Sequence, residues 1–169
     1  VKQQLKKLSR NEYEELRELT HTAKNLYNFG LYTVRQYYFK NKKYLSYANN
    51  YVICKSNENY KLLNSNMSQQ ILKEVDGVFK SFFGLIRLAK TGEYDFKDIK
   101  LPKYLRKDGF ETLVIGFIRI KDNQFVIPFS NSYRKGHKPI KVKIPPILRN
   151  KIIKEIRIIP KSKARFFEI

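Results

Sequence analysis

A chain of 169 residues is long enough for one ordinary domain or two small ones, and with 42% hydrophobic residues it can bury a core. Lys and Arg number 35 against 15 acidic residues, a formal charge of +20 at pH 7, and such an excess repels itself unless a polyanion neutralises it. The one cysteine, Cys54, excludes an internal disulfide and a four-ligand structural zinc site, and no apolar run is long enough to span a bilayer.

Along the chain, Val1–Leu8 reads as a strand that joins later ones. Ser9 and Glu12 then fit a capping box, in which each side chain satisfies the other's free backbone N–H. Leu8 and Tyr13 sit where a hydrophobic staple would close, and Glu12, Glu14, Glu15 and Glu18 place negative charge where the helix dipole favours it. Apolar residues at Leu16, Leu19, Ala23, Leu26, Leu31 and Val34 recur every three or four positions, which predicts one helix over Arg10–Phe39. The segment Tyr44–Ile53 predicts a shorter helix, and the polar run Ser56–Leu63 a loop. A second long helix is expected from about Asn66, with Met67, Ile71, Leu72, Val75, Val78 and Phe79 opening an apolar face that continues to Ala89. Gly92 stands where a C-terminal glycine cap belongs. Gly77 and Gly84 each weaken that helix by about 1 kcal/mol relative to Ala, a cost that close helix packing would explain.

Beyond residue 95 the pattern changes to short β-rich runs between turn signals. Strands are expected at Thr112–Ile120, Gln124–Pro128, Pro139–Ile144, Lys154–Ile159 and Ala164–Ile169, with hairpin turns at Lys121–Asn123 and Pro160–Lys163. The expected fold is α+β: a helical bundle over residues 9–95 inserted into an oligonucleotide-binding-like β-barrel made of residues 1–8 and 96–169.

Neither a metal-binding group of carboxylates nor an activated nucleophile can be read in the chain, so no catalysis is expected of it. The acidic residues gather at the start of the first helix, where dipole compensation accounts for them. No glycine-rich phosphate loop is present, and His21 and His137 fall in no ligand spacing. A binding pattern remains. Residues 98–169 hold 18 basic side chains against 6 acidic. They cluster around Lys103 and Arg106, around Arg134 and Lys138, and around Arg157 and Arg165. Phosphate contacts by such residues set affinity and make it salt-dependent without reading sequence. Nucleic acid is the expected partner and an anionic membrane surface the alternative. Twelve Tyr and 12 Phe accompany the charge, and such rings stack on unpaired bases. Gln69 and Gln70, in the first turn of the second long helix, are residues of the type that pairs with adenine edges.

The order of these segments resembles the N-terminal half of TnpB (OrfB) proteins of insertion sequences, relatives of compact type V CRISPR effectors. Ala23–Tyr32 (AKNLYNFGLY) is similar to that family's R-x-x-Y-N-x-x-L pattern, with Lys24, Tyr27, Asn28 and Leu31 in register. Ser68–Phe83 (SQQILKEVDGVFKSFF) resembles its A-L-Q-x-x-L-x-x-L-x-x-A-x-x-x-F-F helix, although Ser68 and Val78 depart from it. Leu101–Tyr104 (LPKY) is similar to its F-P-R/K-F, and Ile156–Pro160 with Arg165–Ile169 resembles the last hairpin before its nuclease domain. The resemblance implies a helical recognition domain inserted into a β-barrel wedge domain, binding a guide RNA and a short motif in double-stranded DNA beside the target. It implies that Gln69, Asn50 and Ser46 contact DNA bases, and that Lys103, Arg106, Arg134, Lys138, Arg157 and Arg165 hold phosphates. Tyr27 and Asn28 are expected to serve packing and polar bracing. A metal-dependent RuvC-like endonuclease domain and a zinc ribbon are implied only for a C-terminal half of the same polypeptide, so no cofactor is expected in these residues. A cytoplasmic location in a prokaryote is implied as well. The alternative reading is a stand-alone, non-catalytic DNA- or RNA-binding regulatory protein. A third is an interaction protein whose charge serves solubility alone.

Overall fold

The computed structural model describes all residues from Val1 to Ile169. Helix α1 runs from Arg10 to Asn41 and begins on the expected capping box. The Ser9 N–H donates to Glu12 Oε2 at 2.8 Å, and the Glu12 N–H donates to Ser9 Oγ at 3.3 Å. The helix stops where Lys42 turns left-handed, at φ 55°. Its apolar stripe faces inward: Leu16, Ala23, Leu26 and Leu31 are wholly buried.

Helix α2 (Tyr47–Cys54) follows, capped by Ser46, and α4 (Ser65–Lys90) is capped by Asn64. The segment expected to be a loop, Ser56–Leu63, instead contains a short helix, α3 (Glu58–Leu62). Asn57 starts it by accepting the Asn59 N–H at 2.9 Å, and the buried Tyr60 holds it to the core. Gly92 does end α4 in the left-handed region, at φ 81°. The apolar face of α4 is covered unevenly. Met67, Ile71, Leu72 and Val75 are fully buried, whereas Val78 and Leu88 are exposed.

Close helix packing rests on a glycine other than the two in α4. A Cβ on Gly30 of α1 would lie 2.8 Å from Leu72 Cδ2 and 3.4 Å from Asn50 Nδ2, while at Gly77 and Gly84 it would meet nothing within 4 Å. Gly30 therefore sets the approach of α1 to α4. Gly77 and Gly84 face open space.

The strands form two separate three-stranded antiparallel sheets, and no closed barrel is present. One sheet has the order β1 (Leu113–Ile115), β5 (Ile156–Lys161), β6 (Phe166–Glu168); the other joins β2 (Ile120–Lys121), β3 (Gln124–Val126) and β4 (Lys141–Lys143) in sequence. The single strand expected over Thr112–Ile120 is thus divided between two sheets. The break falls at Gly116, whose N–H is taken by Asn66 Oδ1 of α4 at 2.9 Å instead of by a neighbouring strand. The first hairpin turn falls where expected; the second lies further on, at Ser162–Arg165, because Pro160 and Lys161 extend β5 by pairing with Phe167 and Phe166. Asp122 and Asn123 have φ 51° and 55°, the left-handed pair that suits a two-residue hairpin.

The N-terminal segment does join the later strands. Gln3 and Ile169 exchange both backbone hydrogen bonds, at 2.9 and 2.8 Å, and the Leu5 N–H donates to the Phe167 carbonyl at 2.8 Å. In chain order the helices therefore lie between an edge segment of the first sheet and the strands it pairs with. A single cluster of 29 buried hydrophobic residues runs from α1 and α4 through β1 to Phe125, Ile158 and Phe167. The helical and β-rich parts share one core. No helix is long and apolar enough to cross a membrane.

Between the helices and β1, residues 102–111 form a strap that runs antiparallel along α1. Arg35 Nη1 donates to the Pro102 carbonyl at 3.2 Å, and the Asn28 side chain both accepts from Leu105 N–H at 2.8 Å and donates to its carbonyl at 2.9 Å. Further along, Lys24 Nζ donates to the Lys107 carbonyl at 2.9 Å, and the Glu111 N–H donates to the Thr20 carbonyl at 2.9 Å. Lys24 is buried, and burial lowers its pKa from the ordinary lysine value.

Candidate nucleic-acid interface

Some of the basic side chains line depressions at the joints between the helical and β-rich parts. Where the start of α4 meets α5 (Asn131–Arg134) there is a depression of about 340 Å³ lined by Lys55, Lys61, Arg134, Asn64, Ser65 and Ser132 among others, with no carboxylate in its walls. Ser130 ties the two elements together by donating to the Leu62 carbonyl at 2.8 Å. Three cations and several neutral hydrogen-bonding groups on one concave surface suit a phosphate backbone.

The second joint lies where the strap meets the β5–β6 turn, a cleft of about 210 Å³ between Arg106, Phe110, Pro160 and Lys163. Ser162, Lys163 and Ala164 of that turn all have left-handed φ. Arg17 of α1 holds the turn by donating to the Lys163 and Ala164 carbonyls at 2.9 and 3.1 Å, and Tyr13 Oη donates to the Ala164 carbonyl at 2.8 Å. Arg106 and Lys163 both reach Asp108, at 3.1 and 3.7 Å, and the Arg106 guanidinium holds the Asp108 carboxyl below the usual range. One carboxylate thus offsets part of this cleft's charge.

A third depression, about 580 Å³, brings Arg165 together with Lys6, Lys7 and Arg10 at the start of α1. The outer face of the second sheet is basic too. Its register aligns Lys121, Gln124 and Lys143 in one row and Val126 with Lys141 in the next, while Phe125 and Val142 point into the core.

Among the expected phosphate-binding residues, Lys103, Arg106, Arg134, Lys138, Arg157 and Arg165 are all exposed. Arg106 meets the β5–β6 turn, Arg134 meets α4, and Arg165 meets the N-terminal segment. Arg157, on β5, lines a fourth depression of about 600 Å³ with Lys2, Lys143, Lys151 and Lys154, and its guanidinium is engaged by Glu155 at 2.6 Å.

The expected base-contacting residues do not form one surface. Asn50 is 1% exposed; its amide donates to the Gly30 carbonyl at 3.4 Å and its oxygen accepts from Cys54 Sγ at 3.3 Å. This corrects its assignment to base contact, because a side chain enclosed between α1 and α2 cannot reach a base edge. Ser46 is exposed, but its helix start lies against Asp76, which accepts from Tyr44 Oη and from the Tyr47 N–H. Burial would raise the Asp76 pKa, yet the hydrogen bonds from Lys80 and Tyr44 outweigh it and keep the carboxyl ionised. Lys80 pairs with that carboxylate at 2.7 Å, so Asp76 serves to hold the start of α2 against α4. Gln69 is half-buried beside Tyr60, whose phenol burial pushes up to about 12. Gln70 lies beside Gly116 with Asn66. Asn28 and Tyr27 are bracing and core residues, as expected.

Lys55, Lys61 and Lys121 were not singled out by sequence reasoning. The first two sit in or beside a segment read as a loop, so the spacing that aligns them with Arg134 had no helix to express it. The acidic residues of α1 also do more than offset the dipole. Glu18 accepts from Tyr133 Oη at 2.7 Å, and Glu15 is buried, with its pKa raised by desolvation. Elsewhere, burial pushes Glu74 up to about 7 and also raises Glu111, whose charge repels it. No protein-family model matches the chain, and a search of curated proteins finds no match either.

Proposed function

We propose that the chain binds nucleic acid without catalysing a reaction itself, as the recognition and wedge parts of a TnpB-like RNA-guided DNA endonuclease. In this reading residues 9–95 are the recognition domain, and the two sheets with the N-terminal segment are an opened form of the oligonucleotide-binding-like barrel. The partners are a guide RNA and a DNA duplex beside the guide's target. Base pairing by the guide would carry most of the sequence specificity, while this chain holds the duplexes by shape and charge.

The observation that carries the reading is the pairing of residues 3–5 with the C-terminal strand. It makes the helices an insertion, and cation-lined depressions lie on the joints around them. Gln69 and its neighbour Gln70 stay the candidates for contact with bases, in the helix whose start lines the depression that Arg134 completes.

The test is a filter-binding titration of structured RNA and duplex DNA between 50 and 300 mM salt, values on the order of those over which phosphate contacts are lost. Binding by the wild type should weaken steeply with salt. Lys61→Ala with Arg134→Ala should lower affinity for all sequences and flatten the logarithmic slope by about 2, one for each phosphate contact removed. Gln69→Ala should relax preference among duplex sequences with overall affinity nearly kept. Salt-independent binding, or an unchanged slope in the double variant, would count against the reading.

A further inference from the structure

We propose that Tyr104, Arg35 and Phe39 form a stacking platform for an unpaired nucleobase, so that this face of the molecule takes single-stranded rather than paired nucleic acid. The proposal deepens the nucleic-acid-binding reading and rests on it. Arg35 projects from α1 and is held by its hydrogen bond to the Pro102 carbonyl at 3.2 Å. Its guanidinium carbon lies 4.7 Å from the centre of the Tyr104 ring and 5.9 Å from that of Phe39. No carboxylate lies within ion-pair distance of Arg35, so its charge is offset only by the two rings and one carbonyl.

The rings are not spent on the core. Tyr104 is 42% and Phe39 46% exposed, and Tyr32, two turns before Phe39 on α1, is 51% exposed. Pinning the strap would not require this exposure, because Asn28 already fixes it with two hydrogen bonds at Leu105. Lys103 precedes Tyr104 directly, and Lys40, Lys42 and Lys43 follow closely on Phe39; all four are exposed. Planar apolar surface, an unpaired guanidinium and flanking ammonium groups are the combination that holds a strand by its bases and its phosphates together. A duplex keeps its base faces stacked on one another and has none to offer such a surface.

The chain contains no tryptophan, so Tyr104→Trp installs a single reporter in the platform itself. Oligouridylate and oligothymidylate should quench its fluorescence; quenching by the first alone would assign the site to RNA. Strands of the same length with abasic residues carry the phosphates without the bases and should quench little. Tyr104→Leu should weaken single-strand binding by about fivefold to a hundredfold, the range of one lost base–aromatic stack, and Tyr104→Phe should restore it. Duplex affinity and melting temperature should stay near wild type in the leucine variant, which separates stacking from strap packing. Equal quenching by abasic strands, or a blue shift on phosphatidylserine vesicles in place of quenching, would overturn the platform. Salt-sensitive binding by the wild type, with no fluorescence response in the Tyr104→Trp variant, would overturn the platform and leave the general reading intact. Failure of the wild type to bind any strand or duplex would remove both.

Discussion

Gly30, Gly77 and Gly84 all occupy helix interiors, and their surroundings give them opposite roles. At Gly30 an added methyl would press on Leu72 and Asn50, both already buried. Overpacking of a closed core costs about 1–3 kcal/mol, which matches or exceeds the gain of about 1 kcal/mol from replacing a helical glycine. At Gly77 and Gly84 only the gain remains. Thermal unfolding should therefore show Gly30→Ala melting at or below the wild type, and Gly77→Ala and Gly84→Ala each melting about 2–4 °C above it. A higher melting temperature for all three would mean that α1 and α4 can separate at no cost. Asn50 belongs to the same contact. Its amide closes α2 onto the Gly30 carbonyl, so the absence of a side chain at Gly30 and the presence of one at Asn50 are parts of one fit.

Among the larger elements, the strap of residues 102–111 decides how the helical part meets the sheets. It has no ladder partner, and its backbone groups are met by side chains of α1 instead, with Asn28 acting as a peptide-like edge toward Leu105. Asn28→Ala would leave both groups of Leu105 to find water. At about 1 kcal/mol for each lost bond the chain should lose about 2 kcal/mol, and its melting temperature should fall by about 4–8 °C. Limited proteolysis should then cut first near Lys103–Lys107. Cleavage elsewhere, with an unchanged melting temperature, would show that the remaining contacts from Arg35, Lys24 and Thr20 hold the strap without Asn28.

The whole molecule carries its charge unevenly, with basic residues on the surface, some of them at the joints, and several acidic ones drawn inward. Glu74 is the clearest case, pushed up to about 7 by burial, with Glu111 and Glu155 adding repulsion and Arg157 opposing it. A raised carboxyl pKa means that the native state binds the proton more tightly than the unfolded chain does. The associated stability is full below the unfolded value of about 4.5 and is lost as pH rises through about 7. Glu74→Gln removes this dependence. The variant should melt about 3 °C or more above the wild type at about pH 8 and close to it at about pH 4.5, as differential scanning calorimetry would show. Equal differences at both pH values would place Glu74 in water.

Legible in the chain alone were its local features. The capping box at Ser9, the stripe of α1, the glycine stop at Gly92 and the turn at Asp122–Asn123 each depend on residues within a turn or two of one another. The net charge, and with it the kind of partner expected, was equally plain from composition. Which side chains face solvent and which segments pair was settled by the packed molecule. Packing buried Asn50, diverted Gly116 from a strand to Asn66, and ordered α3 around Tyr60. It also opened the expected barrel into two sheets, and set Lys61 beside Arg134 and Arg35 against the ring of Tyr104. Such contacts, like those joining Asn66 to Gly116 and Asn28 to Leu105, span 50 and 77 positions of sequence and leave no periodic trace in it. They form only when the shared core has fixed both partners.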